Sequence, residues 1–257
     1  MDLPIGICIS PDKVPTLAPG YDYLELGVSS TLVPLESASE YVSLKASLQS
    51  LSPPIRAFNL FVPGQIKVVG QDVEWDKVEL YVQRAVQRAA DLAAKVIVFG
   101  SGGARAVPED FSRALAWGQL VRFLSICADQ AAGKALTIAI EPLNCRETNI
   151  INTYLEGVAL AKDVAQDEVR VLADIYHFMM DGEPLDDIAE EPDWLAHVHL
   201  AGTGRRWPGS GAYPLERLFA ILKDVDYKGA ASVECRWGDD FRDETARALA
   251  FLHKLTA

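Results

Sequence analysis

Eight short runs rich in β-branched and aromatic residues recur along the chain, separated by amphipathic or turn-rich segments. They begin at Ile5, Tyr21, Ile55, Lys95, Leu136, Val169, Leu195 and Ala231. Gly, Pro, Asn or Asp bounds each run, which is typical of strands in βα units. We therefore predict a (β/α)8 barrel, with a doubly wound open sheet as the alternative fold.

Amphipathic stretches lie between several of these runs. Residues 72–94 and 111–132 carry apolar side chains at helical spacing, which predicts two long helices. Pro108, followed by two acids, predicts the first turn of the second helix. Residues 239–257 predict a final helix. The segment after the first run, PDKVPTLAPG, contains too many prolines for a long helix.

Length and composition are compatible with one domain over residues 1–257. The chain has 257 residues, of which 49% are hydrophobic, so it can bury the core of one large α/β barrel. The net charge of −12 disfavours a nucleic-acid partner, because a protein that binds the phosphate backbone needs a basic face.

The expected location is the cytoplasm, without a membrane partner. Cys8, Cys127, Cys145 and Cys235 form no CxxC pair, which favours a reduced compartment. The first ten residues contain neither a basic leader nor a small-residue cleavage site, so we expect no signal peptide. No apolar run approaches the ~20 residues that a membrane-spanning helix needs.

Metal-type side chains end four successive predicted strands. The fifth ends at Glu141, the sixth at Asp174, the seventh near His199 and the eighth at Glu234. Barrel chemistry lies at the C-terminal ends of the strands, and strand alternation points Glu141 and Glu234 into the lumen. Three carboxylates and one imidazole suit Mn²⁺, Mg²⁺ or Co²⁺ better than a structural zinc ion. For any one of the four, the alternative is a buried, hydrogen-bonded polar residue.

Other polar residues lie close to these strand ends. His177 falls in a predicted loop, where it either donates to a substrate or caps the next helix. His197 shares a face with His199 one layer deeper, so we expect it to support the site or the core. Arg205 lies in a Gly- and Pro-rich loop, as a candidate anchor for a substrate oxygen.

Two further features have competing interpretations. The segment GSGGAR, residues 100–105, lacks the Lys-Ser/Thr ending of a phosphate-binding loop, so we predict a tight βα turn. A group of aromatic and amide residues either walls a substrate pocket or packs in the core. These residues are Phe58, Asn59, Phe61, Trp207 and Trp237.

Four motifs between residues 136 and 237 resemble those of the xylose-isomerase-like barrel superfamily. In particular they are similar to its sugar phosphate isomerase/epimerase group, which includes D-tagatose 3-epimerase and hydroxypyruvate isomerase. EPLNCRET resembles the family's EPLNR-x-E-T, and DIYHF resembles a D-x-x-H segment. HVHLAGTGRRWPG resembles H-x-H-x-A-x-x-x-x-R-x-x-P-G, and SVECRW carries the last glutamate.

The resemblance implies one divalent metal ion, with Mn²⁺ expected ahead of Mg²⁺, Co²⁺ or Zn²⁺. Its implied ligands are Glu141, Asp174, His199 and Glu234. The implied substrate contacts are Glu147, His177 and Arg205, to which we add Asn59 and Trp237 as candidates. The resemblance also implies a homo-oligomer, a dimer or a tetramer.

The implied activity is that of a metal-dependent sugar isomerase or epimerase, working through an ene-diolate on a ketose or related hydroxy-carbonyl compound. Glu141 and Glu234 would exchange protons with the substrate. Many relatives carry an acid near position 202, where this chain has Gly202, which leaves the substrate open. No histidine precedes His177, so the trinuclear zinc site of the abasic-DNA nucleases cannot form in the same way. The alternatives are a metal-dependent lyase of the dehydratase or keto-glycoside type, and a non-catalytic sugar-binding protein.

Overall fold

The computed structural model describes residues 2–256, and in it eight parallel strands close into a barrel. Each strand pairs with its neighbours in sequence, and the eighth pairs with the first. The strands are β1 Ile5–Cys8, β2 Tyr23–Gly27, β3 Ile55–Asn59, β4 Val96–Phe99, β5 Thr137–Ile140, β6 Val169–Asp174, β7 Leu195–Leu200 and β8 Ala230–Val233. The predicted barrel is therefore confirmed, and the open sheet is excluded.

Helices follow most of the strands and pack around the barrel. They are α1 Val28–Thr31, α2 Ala38–Gln49, α3 Trp75–Asp91, α4 Gly102–Arg105, α5 Arg113–Ala131, α6 Tyr154–Val164, α7 Ile175–Asp181, α8 Asp187–Glu190, α9 Leu215–Asp224 and α10 Phe241–Thr256. Only a 3₁₀ turn, Pro11–Thr16, follows β1, as its prolines predict. Across residues 2–256, none of these helices combines the length and apolar character needed to cross a membrane.

The predicted start of α5 at Pro108 is wrong. The helix begins at Arg113, because the hydroxyl of Ser112 accepts a hydrogen bond from the N–H of Leu115 and caps the first turn. Pro108 belongs to a preceding turn, in which its carbonyl accepts from the N–H of Phe111 at 3.0 Å. A serine cap next to the helix therefore fixes the boundary, and the proline upstream does not.

The core has an inner and an outer layer. The lumen is filled largely by small side chains around one tyrosine: Tyr23, Ala57, Val96, Val98, Ala139, Leu172 and Ala230. Ile138, Ile140 and Val233 face the helices instead, as strand alternation predicts. Phe58 and Phe61 are also fully buried in the outer layer, so they pack in the core and do not wall a substrate pocket.

Arg105 ties together the backbone at the C-terminal end of the barrel. Its buried guanidinium donates to the carbonyl oxygens of Phe99, Glu141 and Ile151 at 3.1, 2.9 and 3.2 Å. The segment that carries it forms the single turn of α4, which agrees with the predicted βα turn. The arginine thereby fixes the position at which the chain leaves β5.

Two glycines in different environments allow a test of the packing. A Cβ on Gly6 would lie 2.2 Å from a ring carbon of Tyr23, whereas a Cβ on the exposed Gly118 of α5 would meet nothing within 4 Å. We expect Gly6→Ala to lower the free energy of unfolding by ~1–3 kcal/mol through overpacking. Gly118→Ala should raise it by ~0.5–1 kcal/mol, because alanine loses less backbone entropy in a helix. Urea denaturation of both variants measures the two changes, and equal effects would contradict the lumen packing.

Candidate metal centre

The four predicted metal ligands come together at the C-terminal end of the barrel. Glu141 follows β5, Asp174 ends β6, His199 is the penultimate residue of β7 and Glu234 follows β8. One ligand atom from each lies within 4.8 Å of the others, so the group could hold a metal ion. The strand register aligns Asp174 with His199, which brings adjacent strand ends to one height.

His199 lies at the centre of this group. Its Nδ1 is 3.1 Å from Oε1 of Glu141 and 3.4 Å from Oε2 of Glu234. The imidazole is fully buried. The ring therefore presents one nitrogen to the carboxylates, and the opposite nitrogen points deeper into the barrel.

Sequence reasoning missed Glu25, which lies directly beneath the group in the middle of β2. Its Oε1 is 2.9 Å from Nε2 of His199, and its Oε2 is 2.8 Å from Nε2 of His197. Burial alone would raise the pKa of Glu25, but the two imidazoles outweigh it and hold that pKa below its usual range. A charged residue on the inward face of a strand was the signal that could have found it. His197 lies in the supporting layer, where the sequence predicts it.

Cys8 approaches the same imidazole from β1. Its sulfur lies within 4.8 Å of ligand atoms of Glu25 and His199. Burial first, and the charge of Glu25 second, raise the pKa of the Cys8 thiol well above its usual range. The thiol is therefore neutral and borders the site as a small, weakly polar group.

Arg205 provides the cationic side of the site. Its guanidinium forms an ion pair with Glu234 and lies 3.6 Å from Oε1 of Glu147 and 3.9 Å from Oδ2 of Asp174. The same group stacks over the ring of Tyr176, with 4.6 Å between the guanidinium carbon and the ring centroid. Arg205 itself adopts φ of +60°, a left-handed conformation that packing must stabilise for a residue with a side chain.

His177 lies in the first turn of α7, so the predicted loop is wrong. Asp174 starts that helix directly after β6, because its Oδ1 accepts from the N–H of Tyr176 at 2.8 Å. The Nδ1 of His177 accepts from the backbone N–H of Asn144 at 3.1 Å, while its buried Nε2 has no hydrogen-bond partner among residues 2–256. Burial and the nearby Arg205 lower the pKa of His177 to about 3. The ring is therefore neutral, with an unused N–H facing the site.

Two amide side chains orient the surrounding carboxylates. The Nδ2 of Asn59, at the end of β3, donates to Oε1 of Glu234 at 3.0 Å. The Nδ2 of Asn144 donates to Oε1 of Glu147 at 3.0 Å. Asn59 and Glu147, both candidate substrate contacts, thus lie at the rim of the carboxylate group. Asn144 belongs to the EPLNCRET motif, and the structure shows that it contacts both Glu147 and His177.

Trp237 lies beside a recess that Cys8 also borders. It packs edge-to-face on Phe241 with ring centroids 5.5 Å apart. The two rings, together with Cys8, Ser10 and Lys13, border a cavity of about 300 Å³. Within residues 2–256 the buried indole N–H of Trp237 lacks a hydrogen-bond partner, so it is free to donate to a bound molecule.

The electrostatics of the group fit a cation. Burial, followed by repulsion from Glu234 and Glu141, raises the pKa of Asp174 to about 8, and burial raises that of Glu141. Burial also opposes ionisation of Glu234, but His199 and Arg205 outweigh it and lower its pKa to about 2. The Oδ2 atom of Asp174 is buried without a hydrogen-bond partner in the described part of the chain. This oxygen lies 3.6 Å from Nε2 of His177 and 3.9 Å from the Arg205 guanidinium, beyond hydrogen-bond distance of both. Repelling carboxylates and an oxygen without a hydrogen bond are what a bound divalent ion would stabilise.

Gly100, at the end of β4, leaves the space that Glu141 occupies. A Cβ at this position would lie 2.1 Å from Oε2 of Glu141. Only glycine therefore permits this carboxylate to lie against the backbone that follows β4. The glycine at the start of this segment thus shapes the centre.

Comparison with known proteins places these observations in a family. A D-psicose 3-epimerase from Agrobacterium fabrum is 35% identical over 108 residues, which are 42% of this chain and 37% of that protein. An L-ribulose 3-epimerase from Methylomonas sp. is 34% identical over 108 residues, 42% of this chain and 38% of that protein. The matched segments therefore span less than two fifths of the length of these relatives.

The whole barrel also superposes on a solved structure. A D-psicose 3-epimerase determined in the presence of D-fructose matches with a TM-score of 0.84 and 20% identity, over 98% of this chain and 99% of that one. At this identity the likeness shows the fold alone. The family model described as xylose isomerase-like TIM barrel matches residues 18–255, and the chain therefore belongs to that family.

Proposed function

We propose that this chain is a metal-dependent sugar isomerase or epimerase, acting on a ketose or a related hydroxy-carbonyl compound through an ene-diolate. The observation that carries the proposal is the pair Glu141 and Glu234, a buried and a largely buried carboxylate that approach one imidazole nitrogen from strands three apart in the barrel. Relatives that act as ketose 3-epimerases support the same chemistry.

Glu141, Asp174, His199 and Glu234 would hold one divalent cation, for which we expect Mn²⁺ ahead of Mg²⁺, Co²⁺ or Zn²⁺. When bound, the cation supplies positive charge that polarises a substrate carbonyl and makes the adjacent C–H more acidic. The donor set of three carboxylates and one imidazole carries one more negative charge than a divalent ion neutralises. Arg205 compensates that excess.

The two glutamates would move the substrate proton. One carboxylate removes it from carbon, which gives an ene-diolate, and the other returns a proton from the opposite face. Return to the same carbon inverts its configuration and makes the reaction an epimerisation. Return to the adjacent carbon interconverts an aldose and a ketose.

Neutral and cationic donors would stabilise the negative charge of the ene-diolate. His177 has an unused Nε2–H, and Arg205 lies within ion-pair distance of the carboxylates. Because both groups are already held in place by Asn144 and Tyr176, they need no reorganisation as the charge develops. Glu147, Asn59 and Trp237 would contact the remaining hydroxyls of the sugar.

Hydrogen exchange at carbon separates this reaction from its rivals. We expect incubation with Mn²⁺ and free ketohexoses or ketopentoses in D₂O to place deuterium at C3 of the product epimer, because the base exchanges its proton with solvent. NMR measures the labelled position. Label at C1 or C2 with aldose formation would favour the isomerase, and loss of water or an aglycone would favour the lyase. Absence of exchange across ketoses and their phosphates, with metal in the site, would contradict carbon-acid chemistry.

Removing either proton-transfer group should abolish most of the activity. We expect Glu141→Gln and Glu234→Gln each to reduce kcat by at least ~10²-fold, since general acid–base groups contribute about that factor. Glu216→Gln on the exposed surface of α9 is the matched control and should leave kcat unchanged. Steady-state kinetics at saturating Mn²⁺ compares the three. Turnover near the wild-type rate in both site variants would show that the acids are structural.

Metal binding should strengthen as the pH rises. The pKa of Asp174, raised to about 8, means that a proton occupies this carboxyl below that pH in the absence of a cation, and the raised pKa of Glu141 acts in the same direction. Each proton that Mn²⁺ must displace weakens binding by about tenfold per pH unit below the pKa. The apparent affinity should therefore increase from pH 6 to about 8 and then level off. Calorimetry in buffers of different ionisation enthalpy measures the affinity and the released protons, and a constant affinity over this range would refute the assignment.

A further inference from the structure

We propose that Glu25 is a positioning residue, which fixes the protonated nitrogen and the ring orientation of His199 and thereby sets the affinity of the centre for a divalent cation. This inference rests on the proposed metal-dependent function. Glu25 lies too deep in β2 to belong to the four-residue ligand group, and none of the family motifs includes it.

The contacts of Glu25 are unusual for a buried carboxylate. Its side chain is fully buried, and its ion-pair partners among residues 2–256 are two imidazoles, with no lysine or arginine. Each carboxylate oxygen contacts a different ring, at 2.9 Å for His199 and 2.8 Å for His197. A fully buried carboxylate strongly destabilises the fold unless its oxygens accept hydrogen bonds, so the contacts with both imidazoles are needed.

These contacts determine which nitrogen of His199 keeps its proton when a cation binds. An ionised carboxylate only accepts hydrogen bonds, so Nε2 of His199 must donate to Glu25. Nδ1, which lies 3.1 Å from Oε1 of Glu141 and 3.4 Å from Oε2 of Glu234, is then the nitrogen that gives up its proton when a cation binds between them. That form of the ring is the one able to bind a cation beside the two glutamates. The opposite tautomer would turn an N–H toward the ion and set a lone pair against Glu25.

His197 restricts the other half of the carboxylate. Its Nε2 contacts Glu25 and also lies 3.2 Å from the hydroxyl of Ser232, while its buried Nδ1 has no hydrogen-bond partner in the described chain. The two imidazoles pack edge-to-face with centroids 5.3 Å apart, so both rings lie against the same carboxylate. Glu25 must therefore accept from both rings at once.

A glutamine at position 25 cannot satisfy both rings. Its amide accepts through one atom and donates through the other, so one imidazole would have to accept at Nε2 and carry its proton on Nδ1. If that ring is His199, the proton occupies the position of the cation. If it is His197, a buried N–H is left without an acceptor. The first outcome weakens metal binding directly, and in both outcomes His199 loses the carboxylate that raises the basicity of its ligand nitrogen.

The affinity for Mn²⁺ tests the inference. We expect Glu25→Gln to bind Mn²⁺ 10- to 100-fold more weakly than the wild type, the effect typical of a lost carboxylate partner of a ligand histidine. Ser232→Ala is the matched control, because it removes the other partner of His197 and keeps Glu25; its affinity should change less than about threefold. Competition with a fluorescent chelator at pH 7.5 measures all three proteins, and thermal melts in EDTA verify that each is folded.

A second measurement on the wild type does not depend on any variant folding. In ¹⁵N-histidine-labelled protein loaded with diamagnetic Zn²⁺, His199 should show a protonated Nε2, with a downfield proton typical of a bond to a carboxylate, and an unprotonated Nδ1. A protonated Nδ1 on His199 would overturn the proposal.

The outcomes separate this inference from the proposed function. If the wild type binds Mn²⁺ and Glu25→Gln binds it within threefold, the positioning role of Glu25 is wrong while the metal centre stands. If the wild type itself fails to bind Mn²⁺ or Zn²⁺ at millimolar concentration, both proposals fail together. Weakened binding in Glu25→Gln alone, with His199 protonated at Nε2, supports both.

Discussion

Removing charge from water is the constraint on which the rest of this site depends. Glu25, Glu141, Asp174 and Glu234 are all withdrawn into the end of the barrel, where an unpartnered carboxylate is strongly destabilising. Their neighbours respond to that cost in two ways. Histidines, an asparagine and Arg205 supply hydrogen bonds and positive charge. One oxygen of Asp174 still lacks a hydrogen bond, and a divalent ion would supply the positive charge that is missing there.

The positions of these groups follow from the barrel and not from their local sequence. Parallel strands in register bring their C-terminal ends to one height, so residues that are far apart in the chain become neighbours. Loop residues then refine the geometry: Arg105 fixes the exit from β5, and Gly100 leaves the space for Glu141. Because the fold provides the arrangement without a ligand, the proposed binding of a cation would need little reorganisation.

The fold was predictable because each strand is recognisable from a short run of β-branched and aromatic residues bounded by Gly, Pro, Asn or Asp. Alternation also predicted the lumen-facing direction of Glu141 and Glu234, since period two is a local property. Glu25 was not identified from the sequence because its partner His197 lies 172 residues away, and no spacing rule links the two positions. The loop expected at His177 was wrong for a related reason. Asp174 was expected to act as a ligand, but one of its oxygens also caps a helix, and the sequence does not reveal that second contact.

The contact between Glu25 and the two histidines also bears on how the chain assembles during synthesis. All four candidate ligands lie between residues 141 and 234, yet the carboxylate beneath them belongs to the second strand to be made. When β2 leaves the ribosome, the imidazoles of β7 have not been translated, so Glu25 has no partner to offset its burial. A closed lumen around β2 is therefore unfavourable until the last quarter of the chain arrives. A nascent fragment that lacks β7 therefore contains a carboxylate whose burial neither of its two imidazole partners yet offsets.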